Sequence, residues 1–228
     1  MSLPSRRAVL AGAATLVLAG APRAQQTFSA AERALFMTPH LARLRPPTTL
    51  RYQFEKSGTL EDSFADVVTL KLAARADGAC CAASADFLTG ARRLALPEVE
   101  AAEGNPVLLY FLERDIREMN RRTKGQASYF RKRIRMAVFQ GARTREVQLT
   151  YRGKPIAARQ YIVAPYVDDP LRARFETLAN KQYFFTLSDA VPGAVVALRS
   201  QIDAAQAGAA PLVVEQLLLD GATPPQSP

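Results

Sequence analysis

Leu50-Arg51-Tyr52-Gln53-Phe54-Glu55 alternates apolar or aromatic residues with polar ones over six consecutive positions. Successive side chains of a strand point to opposite faces, so a period of two predicts a strand with one buried and one wet face. Pro46-Pro47 breaks the chain just before it. Outward from this stretch the pattern repeats. Val68, Leu70 and Leu72 alternate with Thr69, Lys71 and Ala73, bounded by Asp77-Gly78. A third strand is expected over residues 79–88, with a turn at Thr89-Gly90 and a return over 92–96. Sequential strands with short connections predict an antiparallel meander.

A helical insert, about residues 105–140, interrupts the strands. Asn105-Pro106 offers an N-cap followed by proline at the first helical position, where its missing N–H removes no bond. Leu109, Leu112, Ile116 and Met119 recur at helical spacing. Glu113 with Arg117 and Glu118 with Arg122 form i,i+4 pairs in the favourable order, and Gly125 suits a C-terminal cap. Residues 128–140 fit two periods. As a strand, Arg131, Arg133 and Arg135 would line one side. As a helix, Phe130, Ile134, Ala137 and Val138 share a face, with Arg131, Lys132 and Arg135 on another. Ser128 as N-cap and Gly141 as a stop favour the helix.

Strands resume with Val147, Leu149 and Tyr151, a turn at Arg152-Gly153, and a strand over 155–163. Asp169-Pro170 opens a short helix through Leu178. Residues 182–187 are aromatic and strand-like, Pro192-Gly193 suits a type II turn, and strands follow over 195–202 and 213–219. The fold class expected is α+β: a curved antiparallel sheet, half-barrel-like, with the helical insert packed on one face. It would form a single domain over residues 48–220, behind a helical lead-in at 25–47 (Ser29 to Phe36 helical) and before a disordered tail at 221–228.

Ser5-Arg6-Arg7, the uncharged run from Ala8 to Ala21, and Pro22-Arg23-Ala24 have the parts of an export signal over residues 1–24. The run is short of the roughly 20 apolar residues a membrane span takes, which favours processing over a retained anchor. The arginine pair resembles the twin-arginine pattern, although Val9 stands where Phe or Leu is usual. The expected location is the periplasm of a bacterial envelope. Without those residues the net charge of +9 falls to about +6, an excess that favours anionic lipid or an acidic envelope protein and, after export, no nucleic acid.

The strongest chemical signal is a basic run. Between Glu118 and Glu146 there is no acid, while nine bases occur there: Arg121, Arg122, Lys124, Arg131, Lys132, Arg133, Arg135, Arg143 and Arg145. A basic amphipathic segment beside an apolar stripe is the signature of an anionic surface or partner. The candidate anion-binding residues are therefore Arg131, Lys132, Arg133 and Arg135, with Phe130, Ile134 and Val138 as the apolar face beside them. The bland reading is a solvated face neutralised by acids from distant strands, such as Glu98, Glu100 and Glu103. Adjacent Cys80 and Cys81 match neither a CxxC nor a zinc spacing and suggest one buried and one exposed thiol. Asp168-Asp169 is accounted for by helix capping. Glu113 and Asp115 fall on the polar side of a helix beside arginines, as structural ion pairs. His40 is the sole histidine, a surface or capping residue rather than a catalytic one. No Gly-x-Ser-x-Gly elbow, dinucleotide fingerprint or phosphate loop is present, so no catalytic residue, metal or cofactor is implied.

Exported strands, interrupted midway by helices and resumed through Lys181-Gln182-Tyr183-Phe184-Phe185, resemble the periplasmic lipoprotein-carrier architecture over about residues 48–220. That resemblance implies a half-barrel around helices with an apolar cavity for acyl chains. Asn105-Pro106-Val107-Leu108-Leu109-Tyr110-Phe111-Leu112-Glu113-Arg114-Asp115 is also similar to runs in uncharacterised exported bacterial families. The function expected is non-enzymatic binding or chaperoning of an amphipathic anionic ligand, a lipid or an acylated partner, with peripheral membrane contact. A module docking on an acidic envelope protein is the alternative, and a carboxylate-dependent hydrolase the third reading.

Overall fold

The structure, a computed structural model, describes residues 28–224; the expected export signal and the last four residues of the expected tail lie outside the described residues. Eight strands form one antiparallel sheet: β1 (Thr48–Ser57), β2 (Phe64–Ala74), β3 (Cys80–Phe87), β4 (Arg143–Tyr151), β5 (Lys154–Val163), β6 (Gln182–Leu187), β7 (Val195–Ile202) and β8 (Val213–Leu219). Their order across the sheet is β3-β2-β1-β8-β7-β6-β5-β4. The half-barrel-like α+β expectation is met, in a sheet that does not close.

This order dictates where the helices go. β3 and β4 are consecutive strands but occupy opposite edges, on the order of 30 Å apart at about 4.8 Å per strand. The connection between them holds α2 (Val107–Thr123) and α3 (Ala127–Gly141). At 1.5 Å per residue α2 alone is about 25 Å long, so the connection runs back across one face and covers it.

The period-two stretch behaves as the alternation requires. Leu50, Tyr52 and Phe54 are buried while Arg51 and Glu55 are exposed. In β8, Val213, Glu215, Leu217 and Leu219 face inward. The alternation fails in β5, where Gln160 to Val163 are all buried. At its turn end the β4–β5 hairpin is held by the C-terminal segment: Tyr151 bridges Ala222, and Thr223 donates its N–H to Thr150 O at 2.8 Å. Residues 221–223 therefore belong to the fold, in place of the disordered tail expected from 221. Residues 92–96 form no strand of their own; Leu94 and Val99 only bridge Phe87 and Ala83 on the edge strand.

The lead-in is part of the same core. A helical segment, α1, is α-helical over Ala30–Glu32 and π-wound over Arg33–Met37, with a capping box between Ser29 and Glu32. Ala31, Leu35 and Leu41 are buried in the main cluster. His40, expected as a surface or capping residue, is 7 % exposed and takes the capping role. Its Nε2–H reaches Ala34 O at 2.8 Å, and its Nδ1 accepts the backbone N–H of Asn105 at 3.1 Å. Asn105 in turn accepts from Val107 N–H and donates to Tyr52 Oη and Gly193 O. One buried asparagine thus ties the start of α2 to β1, the β6–β7 turn and the lead-in. Gly193 is required there: its φ is +71°, and a Cβ would lie 2.7 Å from Leu50.

Three details of the insert depart from the sequence reading. Leu109 is 56 % exposed, and the buried stripe of α2 is Leu108, Phe111, Leu112, Asp115, Ile116 and Met119. The left-handed residue at the end of α2 is Lys124. Gly125 follows because a Cβ there would meet Phe130 at 2.7 Å. α3 is helical but starts at Ala127, so Ser128 does not cap it. Cys80 and Cys81, expected as separate thiols, are joined to each other. They lie where a register shift between Ala73 and Ala74 interrupts the pairing of β2 with β3, so strict alternation of faces does not apply.

Candidate functional site

The side of the sheet under the helices is covered by buried side chains. Phe111 and Met119 of α2 meet Tyr183, Phe185, Leu198 and Leu217 of the sheet in one cluster, all at most 1 % exposed. Within this interior lies a polar knot. Asp115, 1 % exposed, pairs with Lys181 and accepts from Tyr183 Oη at 2.5 Å and Ser200 Oγ at 3.3 Å. Burial and the adjacent Asp115 charge push the Tyr183 hydroxyl well above the usual phenol value. Further along α2, Arg114 pairs with buried Glu215, which also faces Lys56 at 3.4 Å. These groups satisfy one another, Asp115, Lys181 and Glu215 being almost wholly buried. Their role is to fix α2 on the sheet in one register.

The accessible site is at the edge, where α3 faces the segment after β5. The helix buries Phe130, Ile134 and Val138. Phe130 stacks edge-on against Tyr166 with ring centres 5.9 Å apart, and Phe175 lies 5.7 and 5.8 Å from those two rings. This aromatic cluster clamps residues 164–175 against the helix. Arg133 completes the clamp: Nη2 donates to Pro165 O at 3.1 Å, and Nε lies 2.7 Å from Asp169 Oδ2, an ion pair not aligned for a hydrogen bond. Asp169 caps the following turn through Leu171 N–H and accepts from Tyr129 Oη at 2.6 Å. The expected helix from Asp169 is instead two short 3-10 stretches, Arg172–Arg174 and Glu176–Asn180.

Between these clamped walls is a cavity of about 310 Å³, lined by Arg133, Met136, Ala137 and Gln140 of α3 and by Ile162, Val163, Pro165 and Val167 opposite. A second cavity of about 490 Å³ adjoins it, reaching Asn180, Gln182 and Asp203. Arg143, Ala164 and Val167 line both. The two volumes lie within the range of small-molecule pockets, roughly 300–1,000 Å³. Arg143 is exposed and has no ion-pair partner among the described residues. The cleft therefore mixes apolar side chains with polar ones and carries a free guanidinium at its shared rim.

The residues singled out from sequence are dispersed. Arg131 is held by Glu113 at 2.9 Å, and Arg133 is the clamp just described. Lys132 and Arg135 face solvent. Phe130, Ile134 and Val138 fill the core, so they offer a ligand no surface. Only Arg133 of the seven touches the cleft. The acids that neutralise the basic run are Glu113, Glu118, Glu61 and Asp169, in place of Glu98, Glu100 and Glu103. Arg143 was visible only as one base of nine, because nothing local marks it as a rim residue. Each cavity exposes a single carboxylate, Asp168 in one and Asp203 in the other.

Among the described residues no group of three or more His, Cys, Asp or Glu is placed to hold a metal, and no helix is long and apolar enough to cross a membrane. The chain matches no protein-family model and no curated protein.

Proposed function

We propose that this protein binds an amphipathic anion, a single acyl chain bearing an acidic head, in the cleft between α3 and residues 162–168. The observation that carries the reading is the paired cavity, with Met136, Ala137, Ile162 and Val163 on its walls and Arg143 at the common rim. The chain of the ligand would lie along Met136, Ala137, Ile162 and Val163, and its head would meet Arg143. This moves the ligand away from the sheet's helix-covered face, where a lipoprotein carrier would hold it and where side chains already fill the space. The export signal read from the sequence fits a role in the envelope, non-enzymatic and without cofactor.

The absence of Trp provides the test. Val167→Trp puts a lone indole beside both cavities. Titration with oleate or lysophosphatidylglycerol should then give a saturable fluorescence change, and Arg143→Gln in that background should weaken it several-fold at low salt. No saturable change with either amphiphile would sink the reading. The filled interior favours one rival, a module that docks on an acidic envelope protein without a small ligand. Under that reading a periplasmic preparation carries no lipid in native mass spectrometry.

A further inference from the structure

We infer that the solvent side of α3, together with Phe28, is a docking surface for an anionic lipid bilayer. At about 100° per residue, α3 divides into three rows. Phe130, Ile134 and Val138 enter the core; Arg133, Met136, Ala137 and Gln140 line the cleft. Lys132, Arg135 and Phe139, spaced by three and four residues, form the third row, and all three are exposed.

Neither Lys132 nor Arg135 joins an ion pair among the described residues. Phe139 closes the row, 49 % exposed, and Phe28 is 47 % exposed. The backbone brings the two phenylalanines to one end of the helix. Ser29 Oγ donates to Val138 O at 3.0 Å, so the residue after Phe28 rests against the residue before Phe139. Arg33 Nη1 donates to Phe28 O at 2.5 Å, which adds a third base next to Phe28.

Cations in a row that ends in exposed phenyl rings match the layered chemistry of an anionic bilayer. Phosphate headgroups meet the bases, and the acyl boundary just below accepts the rings. An acidic protein fits less well. A stable protein interface buries about 800 Å² per partner. One side of a 15-residue helix, about 22 Å long and 10 Å wide, offers about 200 Å². The inference stands independently of the cleft, since none of these side chains lines it.

Vesicle flotation tests it, with the full chain in the form cells produce. Vesicles of phosphatidylethanolamine with phosphatidylglycerol are compared with phosphatidylcholine vesicles at low and high salt. Wild type should partition onto the anionic vesicles only, more strongly at low salt. Each base near such a surface is worth about fivefold, so Lys132→Gln with Arg135→Gln should weaken partition about 25-fold at low salt. Phe139→Ser should weaken it at both salts. Arg51→Gln with Arg174→Gln, exposed bases elsewhere, should leave it unchanged. All these positions are on the surface, and thermal melts should coincide with wild type. Indifference to phosphatidylglycerol, equal partition of the α3 double variant and wild type, or an equal loss in the Arg51/Arg174 variant would each overturn the inference. So would capture by an acidic protein without vesicle binding.

Discussion

The two long helices cover the same face of one sheet and dispose their charges in opposite ways. α2 carries acids and bases, and every one is engaged: Asp115 with Lys181, Arg114 with Glu215, Glu113 with Arg117 and Arg131, Glu118 with Arg121 and Arg122. α3 has no acid. Arg131 and Arg133 take acids from elsewhere, and Lys132 and Arg135 have none among the described residues. A helix that brings its own counter-charges is committed to the fold. A helix that omits them leaves unmatched charge for an outside partner, and its apolar face alone must hold it in place.

The largest test of this contrast lies inside α2. Lys181→Met leaves Asp115 buried with only two hydroxyl donors and should destabilise the protein by about 3–5 kcal/mol in chemical denaturation. Adding Asp115→Leu should restore most of the loss, because replacing both partners removes the orphaned charge. A single-variant loss under about 1 kcal/mol would mean that the knot is not what fixes α2.

Next in size is the join between α2 and the lead-in. His40→Ala removes the acceptor of a buried Asn105 N–H and should cost about 1–3 kcal/mol. It should also change the response to pH. The imidazole is neutral in the fold, and burial lowers its pKa from the ordinary 6.5, outweighing the opposing pull of Ala34 O and Asp189. Between the folded and unfolded pKa values the unfolded chain holds a proton that the folded chain lacks. This stability is therefore full above about pH 6.5 and declines as the pH falls below it. Denaturation midpoints between pH 7.5 and 5 should show that decline in wild type and a flatter profile in His40→Ala; identical slopes would remove His40 as the cause.

The same contrast marks what the sequence could reveal. The strands were legible because alternation is local: Leu50, Tyr52 and Phe54 point inward whatever lies beyond them. α3 was legible for a similar reason, since Phe130, Ile134 and Val138 bury as their spacing requires. α2 was misread at two positions. Leu109 looked like core, and Asp115 looked like solvent because it is charged. Yet Asp115 lies four residues after Phe111 and four before Met119, on the buried row. What justifies a charge there is Lys181, 66 residues away, and no local pattern carries that pairing. The strand order was hidden similarly, because β1 against β8 is a contact between the two ends of the domain. The cleft was least legible. Its walls come from α3, β5 and the loop beyond, and the aromatic clamp that opens it joins residues 130, 166 and 175.

The smallest stability effects belong to the surface of α3, and there the contrast is sharpest. Arg131→Gln removes an exposed pair with Glu113 and should cost at most about 1 kcal/mol, less at high salt. Lys132→Gln with Arg135→Gln should change stability by no more than about 0.5 kcal/mol in either direction. No internal partner loses a bond, and relief of like-charge repulsion along the helix offsets any loss. A denaturation curve that superposes on wild type, in a variant that no longer floats with anionic vesicles, would separate the two uses of charge within one insert. A fall in stability comparable to that of Arg131→Gln would mean that Lys132 and Arg135 are held inside the fold, and α3 would then differ from α2 only in where its acids come from.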